Sequence, residues 1–447
     1  HNRIHAWSYV SVVDQSRSRL PVARARLPDR QHQTLARPLT EPVARSLEYW
    51  AATRGGWPAL FEDKAMLTYR EWNEYADMLA DAFVGRGIGA NDVVAVRCRN
   101  RLEWAVIALA CSKIDARLLT LDPNLPPRVL RERLILSGAV AIIVGDIAPS
   151  RLSPALEGLP FLLRATMNTV SLGFYNFWDL FPAVAQPRFG HATPALLAWT
   201  SGAASRALHI GFPCRRSTPA SKSRPPMAEY GNTLITVPMH RIWGPVQFWS
   251  ALAAGRTISL LSDDDAATTL AFIRKRRITH WSALPESFRR MRELGTEAVR
   301  KADTSSLREL EIGGAPATQD LKAWVADLFA PILSEAFGST ETGRISTISF
   351  TRKIEKPGSC GRPMQDVTVE VRDSSGQRLP PGAVGTIWAR TPRTLENDAF
   401  TPAAQRVLRD ANGFVATGNT GRLDEDGYIY LADRTEAQPA DYILRAG

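Results

Sequence analysis

A short glycine-flanked segment combines residue types that could bind a phosphate and a metal ion. The run is Gly338-Ser339-Thr340-Glu341-Thr342-Gly343. Glycines let the backbone approach a phosphate, and hydroxyls and amides can donate to its oxygens. The carboxylate could hold Mg²⁺, which takes one or two protein carboxylates plus substrate phosphates. The alternative is a polar turn between a strand and a helix. A second glycine pair upstream, at 313–314, favours phosphate binding.

The upstream pair opens the run Gly313-Gly314-Ala315-Pro316. A backbone without side chains would let a flat base lie against it, although two adjacent glycines alone indicate only a turn.

Five segments in one order give these residues a family context. They are 199–209, 237–244, 311–316, 337–343 and 416–434, with further matches at 356–363 and 379–388. Their order and spacing resemble the adenylate-forming superfamily of acyl-CoA and aryl-CoA synthetases, luciferases and peptide-synthetase adenylation domains. The resemblance covers roughly residues 67–434. Five motifs in order are far more specific than any one of them.

The resemblance implies a role for each matching residue. Thr340 would contact the α-phosphate, and Glu341 would hold the metal. The implied nucleotide-binding residues are Thr200, Ser201, Gly202, Gly313, Gly314, Ala315, Pro316, Phe337, Gly338, Asn419 and Arg434. The residues implied to line the pocket for the carboxylic acid are His240, Trp243 and Gly244.

Two alternatives concern the acid pocket. A lone histidine is more often a satisfied core residue, so His240 could belong to the core. Trp243, Phe248 and Trp249 could shorten the channel and favour aryl or short acids, or they could be core residues.

The chain departs from the family in its phosphate loop. The family pattern is roughly TSGTTGxPKG, which cradles the β- and γ-phosphates of ATP, and this chain has TSGAASRALH. Ala203 and Ala204 replace hydroxyl donors, and Leu208 replaces the lysine. The remaining changes are Ser205, Ala207 and His209, in place of glycine, proline and glycine. Each hydrogen bond to a charged group contributes roughly 1.5–3 kcal/mol, which predicts ATP binding weakened by several orders of magnitude. Arg206 could supply a positive charge in place of the family lysine, but it lies two positions before the lysine's place in the pattern.

Two further departures follow. Asn419 stands where the family has an aspartate that accepts from both ribose hydroxyls; losing that charge should cost on the order of 1 kcal/mol. Family members also continue into a smaller lid domain that carries a catalytic lysine. Residues 435–447 resemble a lengthened hinge, so we expect the lid to be truncated or naturally absent.

The pattern of elements predicts an α/β fold. Strands alternate with helices, which indicates largely parallel sheets flanked by helices. Thr68 and Glu71 form a capping box before a helix that ends near Gly85 and Gly87. We predict a basic arm (1–45), two α/β subdomains (46–190 and 191–350, the second carrying the nucleotide and acyl site), a small antiparallel β-subdomain (351–434) and a hinge remnant (435–447).

Composition limits the class of protein. Hydrophobic residues make up 45% and charged residues 22%, a globular balance, and no apolar run is long enough to span a membrane. The net charge of +10 comes from scattered arginines without the aromatic interleaving of RNA-binding proteins. A nucleic-acid partner would therefore rest on charge alone. The cysteines lack CxxC spacing, which predicts reduced thiols in a cytoplasmic protein.

Two functions from different classes remain open. The first is an AMP-forming acid–thiol ligase that uses ATP, Mg²⁺ and CoA on a small carboxylic acid, with activity reduced or lost. The second is a non-catalytic module that binds an adenylate, an acyl group or a protein partner.

Overall fold

The computed structural model describes residues 44–146, 151–167, 171–181, 195–199, 207–211, 231–262, 265–350, 356–392 and 409–432. These residues form two largely parallel sheets flanked by helices and one small antiparallel sheet. The predicted α/β class is confirmed.

The described strands, in chain order, are β1 (Pro58–Glu62), β2 (Ala65–Thr68), β3 (Val93–Arg97), β4 (Arg117–Leu121), β5 (Ala139–Val144), β6 (Leu163–Thr166), β7 (Tyr175–Asn176), β8 (Ala195–Trp199), β9 (Ala207–Gly211), β10 (Asn232–Ile235), β11 (Thr257–Leu260), β12 (His280–Ala283), β13 (Glu309–Gly313), β14 (Leu333–Ser339), β15 (Gly343–Ser349), β16 (Thr368–Arg372), β17 (Gly385–Arg390), β18 (Val415–Leu423) and β19 (Ile429–Leu431).

The described helices are α1 (Ala44–Arg54), α2 (Tyr69–Val84), α3 (Leu102–Lys113), α4 (Pro127–Ser137), α5 (Ser153–Leu156), α6 (Trp243–Ala254), α7 (Ala266–Arg276), α8 (Pro285–Leu294), α9 (Thr296–Lys301) and α10 (Gln319–Phe329), with a 3₁₀ helix at Phe177–Leu180. In this part of the chain no helix combines the length and the apolar character needed to cross a membrane.

The first sheet has the strand order β7-β6-β5-β3-β4-β8-β9, and its strands are parallel except for β9. Strand β3 shows why the apolar pattern predicted this arrangement. Val94 and Val96 pack into the core under α2 and α3, whereas Val93 and Ala95 pack into the core under α4. Successive side chains point to opposite faces, so a strand covered on both faces is a continuous apolar run.

The second sheet has the order β15-β14-β13-β12-β10-β11-β1-β2, parallel except at its two edges. Its strands correct the predicted subdomain ranges. β1 and β2 fall within 46–190 but join the second sheet, and β8 and β9 fall within 191–350 but join the first. The pairing of Leu60 with Ile258 is between residues far apart in the chain, which a local pattern cannot show.

The third sheet, β16-β17-β18-β19, is antiparallel and confirms the small β-subdomain. It packs against the β14–β15 hairpin through a shared core that contains Phe337, Ile345, Ile387 and Ile429. The third sheet therefore lies directly beside the segment that carries Thr340.

The predicted start of α2 is confirmed at the level of atoms. The Thr68 amide donates to Glu71 Oε2 at 2.8 Å, and the Glu71 amide donates to Thr68 Oγ1 at 3.2 Å. After the helix, Gly85 stays in the right-handed region and Gly87 has φ +80°. The described cysteines, Cys98, Cys111 and Cys360, are buried free thiols as predicted, and Cys214 lies outside the described residues.

Candidate adenylate and acid site

Three of the predicted site segments, 237–244, 311–316 and 337–343, lie at one edge of the second sheet. Strands β10, β12, β13 and β14 run parallel, so their carboxyl ends share that edge. His240 follows β10, Gly313 ends β13, and Gly338 lies at the end of β14. In open α/β sheets the carboxyl edge is where ligands bind, because the loops that leave the strands meet there.

The segment at 338–343 is the turn of a β-hairpin. Gly338 pairs with Arg344 and Ser339 pairs with Gly343, so a strand follows the turn, not the helix of the alternative interpretation. A Cβ added at Gly338 would lie 2.2 Å from the Gly343 carbonyl oxygen. The glycine is therefore required for the two strands to close.

Hydrogen bonds within the hairpin fix its tip. The Thr342 amide donates to Ser339 Oγ at 3.2 Å, and the two hydroxyls lie 2.9 Å apart. Thr391, just after β17, donates through its hydroxyl to the Thr342 carbonyl at 2.7 Å. Thr342 is fully buried, whereas Thr340 and Glu341 are half-buried at the tip. The hydrogen bonds of Thr342 thus fix the turn. Thr340 and Glu341, the residues predicted to contact the phosphate and the metal, lie at its tip.

The turn at 313–316 lies beside the hairpin, since Gly313 pairs with Ala336. Gly314 has φ +75°, a conformation that favours glycine, and residues 314–316 are exposed. This surface carries few side-chain atoms, as contact with a flat base requires. Phe337, predicted to contact the nucleotide, is packed in the core shared with the third sheet.

His240 lies where the two large sheets meet. Its Nε2 is 3.6 Å from Oδ2 of Asp122, which follows β4 at the carboxyl edge of the first sheet. Burial lowers the pKa of His240, Asp122 opposes this shift, and Arg241 and Arg133 add to it. The imidazole is therefore neutral near pH 7 and can both donate and accept a hydrogen bond.

Asn100, which the sequence analysis did not single out, holds the backbone that leads to His240. Its Nδ2 donates to the carbonyls of Val237 at 3.0 Å and Leu261 at 3.2 Å, and its Oδ1 accepts from the Met239 amide at 3.0 Å. It is 3% exposed. A polar residue between an apolar strand and an apolar helix was the available signal, but its partners lie in the segments that follow strands β10 and β11 of the other sheet.

The three aromatic residues of α6 occupy two different environments. Phe248 and Trp249 are buried in the core with α2 and α3, so these two are core residues and do not shorten the channel. Trp243 is half-buried and lies against the glycine turn: a Cβ at Gly313 would be 3.2 Å from its Cζ2, and one at Gly314 would be 3.3 Å from its Cβ. Its indole nitrogen is buried and has no acceptor among the described residues. Gly244 is packed against the Pro238 carbonyl.

Asn419 lies in β18 directly after Gly418, which has φ +73°. Its Nδ2 donates to the Thr417 carbonyl at 3.1 Å and to Thr417 Oγ1 at 3.4 Å, and the Thr417 hydroxyl donates to the Ile387 carbonyl at 2.9 Å. The amide hydrogens are thus bonded within the chain, which leaves Oδ1 as the group able to accept from a ribose hydroxyl.

Several predicted residues lie outside the described part of the chain: Thr200, Ser201, Gly202, Arg206 and Arg434. The strands on either side of the loop are described. Trp199 pairs with Ala207, and Leu197 pairs with His209, so positions 207–209, which correspond to the family's Pro-Lys-Gly, are part of the antiparallel strand β9.

The residues present fit a magnesium ion held mainly by phosphates. Glu341 offers one half-buried carboxylate at the hairpin tip. Within the described ranges no group of three or more histidine, cysteine or acidic residues forms a protein-only metal cage. Mg²⁺ commonly takes one or two carboxylates plus phosphate oxygens, so a single carboxylate beside a phosphate site suits it.

The family of AMP-binding enzymes matches residues 47–396. The chain therefore belongs to the AMP-binding enzyme family, and the resemblance to adenylate-forming enzymes is confirmed.

The chain is similar to several named proteins of this kind. It is 26% identical to a fatty acid–[acyl-carrier-protein] ligase of Streptomyces coeruleorubidus, over 94% of this chain and 80% of that protein. It is 24% identical to 4-coumarate–CoA ligase 1 of Oryza sativa, over 83% and 70%. The solved structure of the amide bond synthetase McbA from Marinactinospora thermotolerans superposes with a TM-score of 0.74 at 25% identity, covering 88% of this chain and 79% of that one.

Proposed function

We propose that this chain binds an acyl-adenylate at the carboxyl edge of the second sheet and forms it from a carboxylic acid and ATP at a reduced rate. The observation that carries the proposal is the hairpin tip. Thr340 and Glu341 are presented by a turn that Ser339, Thr342 and Thr391 fix in place.

In the proposed reaction a carboxylate oxygen of the acid attacks the α-phosphorus of ATP. The bond from that phosphorus to the oxygen bridging to the β-phosphate breaks, and pyrophosphate leaves. Thr340 donates to the α-phosphate, and Glu341 would hold Mg²⁺, which supplies neutralisation of the phosphate charge. Neutral His240 lines the acid pocket. A thiol such as that of CoA then loses its proton to solvent and attacks the acyl carbonyl carbon. The bond from that carbon to the phosphate oxygen breaks, and AMP leaves with that oxygen.

A second candidate is a non-catalytic adenylate-binding protein. The observation that favours it is the contrast between two segments. The 338–343 turn, which would serve the AMP half, is the best-preserved of the family segments, whereas Ala203, Ala204 and Leu208 replace groups that serve the outer phosphates of ATP. Such a protein would bind AMP or an acyl-adenylate without turnover.

Calorimetric titration with Mg²⁺ against AMP and ATP tests the proposal. We expect AMP to bind and ATP to bind no more tightly than AMP, because the donors for the outer phosphates are replaced. The substitution Thr340→Val should weaken AMP binding roughly tenfold, since a hydrogen bond to a charged group is lost.

Thr368→Val is a matched control, because Thr368 is exposed at the start of β16 and belongs to none of the predicted site segments. Its AMP affinity should equal that of the unmodified chain. ATP-dependent exchange of labelled pyrophosphate separates the two candidates: exchange supports the ligase, and AMP binding without exchange supports the non-catalytic protein. A chain that binds neither nucleotide contradicts both.

A further inference from the structure

We infer that Trp243 closes the acid pocket and restricts this site to compact carboxylic acids, with a short chain or a single ring, excluding long-chain fatty acids. The inference rests on the proposed function, because it takes the segment of His240 as one wall of the acid pocket. It goes further by naming the substrate class and the residue that sets it.

The first step is the position of the ring. Trp243 is the first residue of α6, and Gln247 lies one turn later on the same face of the helix. This face is turned toward β13 and β15, because Gln247 Nε2 donates to Glu311 Oε2 at 2.9 Å and the guanidinium carbon of Arg344 lies 5.0 Å from the Trp243 ring centroid. The indole thus lies between the histidine segment and the glycine turn.

The second step is the absence of free space behind the ring. A Cβ at Gly313 would be 3.2 Å from Trp243 Cζ2 and 3.0 Å from the Ala336 carbonyl oxygen. One at Gly314 would be 3.1 Å from Leu284 Cδ2 and 3.4 Å from Trp243 Cδ1. Even one methyl group is crowded at either position, so an alkyl chain cannot pass between the indole and the turn.

The third step is that the ring is held in place. Arg344 covers it and forms a two-point ion pair with Glu311, with Nη2 to Oε2 at 3.1 Å. Gln247 donates to the same carboxylate. Displacing the indole would disturb a cation–π contact and a partly buried, charge-assisted ion pair together. A bound acid must therefore fit in front of the ring.

The test uses sulfamoyl-adenosine analogues that carry a benzoyl, a hexanoyl or a dodecanoyl group, titrated calorimetrically against the whole chain. We expect the unmodified protein to bind the benzoyl and hexanoyl compounds at least tenfold more tightly than the dodecanoyl compound. Trp243→Ala should reduce this ratio at least tenfold, because the space of the indole becomes available. The ratio within each variant cancels any effect on the nucleotide half.

Two variants complete the experiment. Trp243→Phe keeps most of the bulk and should keep the selectivity. Trp249→Ala removes the same side chain from the same helix but from the core, so it should lower the melting temperature and leave the ratio unchanged. An unchanged ratio in Trp243→Ala, or preference of the unmodified chain for the dodecanoyl compound, overturns the inference while AMP binding still supports the proposed function. Failure of AMP itself to bind overturns both.

Discussion

Replacing Asn100 with alanine is expected to lower the free energy of unfolding by about 3 kcal/mol, because buried backbone groups lose their partners. The carbonyls of Val237 and Leu261 and the amide of Met239 all bond to this one side chain. Since it is 3% exposed, water cannot readily replace these bonds. Urea-induced unfolding measures the loss.

The same substitution tests whether the first sheet positions the acid pocket. We expect Asn100→Ala to weaken binding of the benzoyl analogue more than binding of AMP, because the displaced backbone leads to His240. Asn412→Ala is the matched control, since Asn412 is exposed and its side chain forms no hydrogen bond that the structure describes. A loss of less than about 0.5 kcal/mol for Asn100→Ala, the usual range for surface changes, would contradict the prediction.

Replacing Lys322 with methionine is expected to destabilise the protein by about 3–5 kcal/mol at neutral pH, because it leaves a buried carboxylate without its counter-ion. Lys322 in α10 pairs with Glu335 in β14 at 2.7 Å, and both side chains are 7% exposed. The pair fixes α10 on the strand that leads to Gly338. Denaturant unfolding measures the change.

The destabilisation should depend on pH. Burial raises the pKa of the Glu335 carboxyl, and Lys322 opposes that shift, so its removal raises the pKa further. A carboxyl whose folded pKa is raised binds more protons in the folded than in the unfolded state. Stability therefore falls as pH rises from the ordinary carboxyl pKa through the folded one. The deficit of Lys322→Met relative to the unmodified protein should be smaller at pH 5 than at pH 8.

Two variants control for this prediction. Arg292→Met removes one partner of an exposed pair with Asp320 of the same helix α10, where the arginine is 41% and the aspartate 81% exposed, and should cost less than about 1 kcal/mol. Lys322→Met combined with Glu335→Leu removes both buried charges and should recover much of the loss. A deficit that does not change with pH would show that Glu335 stays ionised and solvated.

Much of the fold could be predicted because its signals are local. The capping box at Thr68 and Glu71 marks the start of α2, and the glycines at 85 and 87 follow its end, as predicted. In each case the residues that decide the conformation lie within a few positions of one another. The order of the site segments could also be predicted, since the order of motifs is a property of the sequence itself.

The sequence did not predict that β1 and β2 join the second sheet and that β8 and β9 join the first. The pairing of β1 with β11 joins residues of the two predicted subdomains, such as Leu60 and Ile258, and nothing in the run at 58–62 specifies its partner. Asn100 was missed for the same reason, because the groups that it bonds are brought near only when the two sheets meet.

The sequence by itself determined the class of protein, the glycine-flanked segment at 338–343 and the altered family motif at 200–209, because each depends on residue types at fixed spacing. Only the tertiary structure decided which aromatic residue of α6 faces the proposed acid pocket. That helix is apolar on most sides, so its sequence does not specify its orientation. Packing places Phe248 and Trp249 in the core and turns Trp243 toward the glycine turn, since the orientation of an apolar helix is set by the surfaces that it meets.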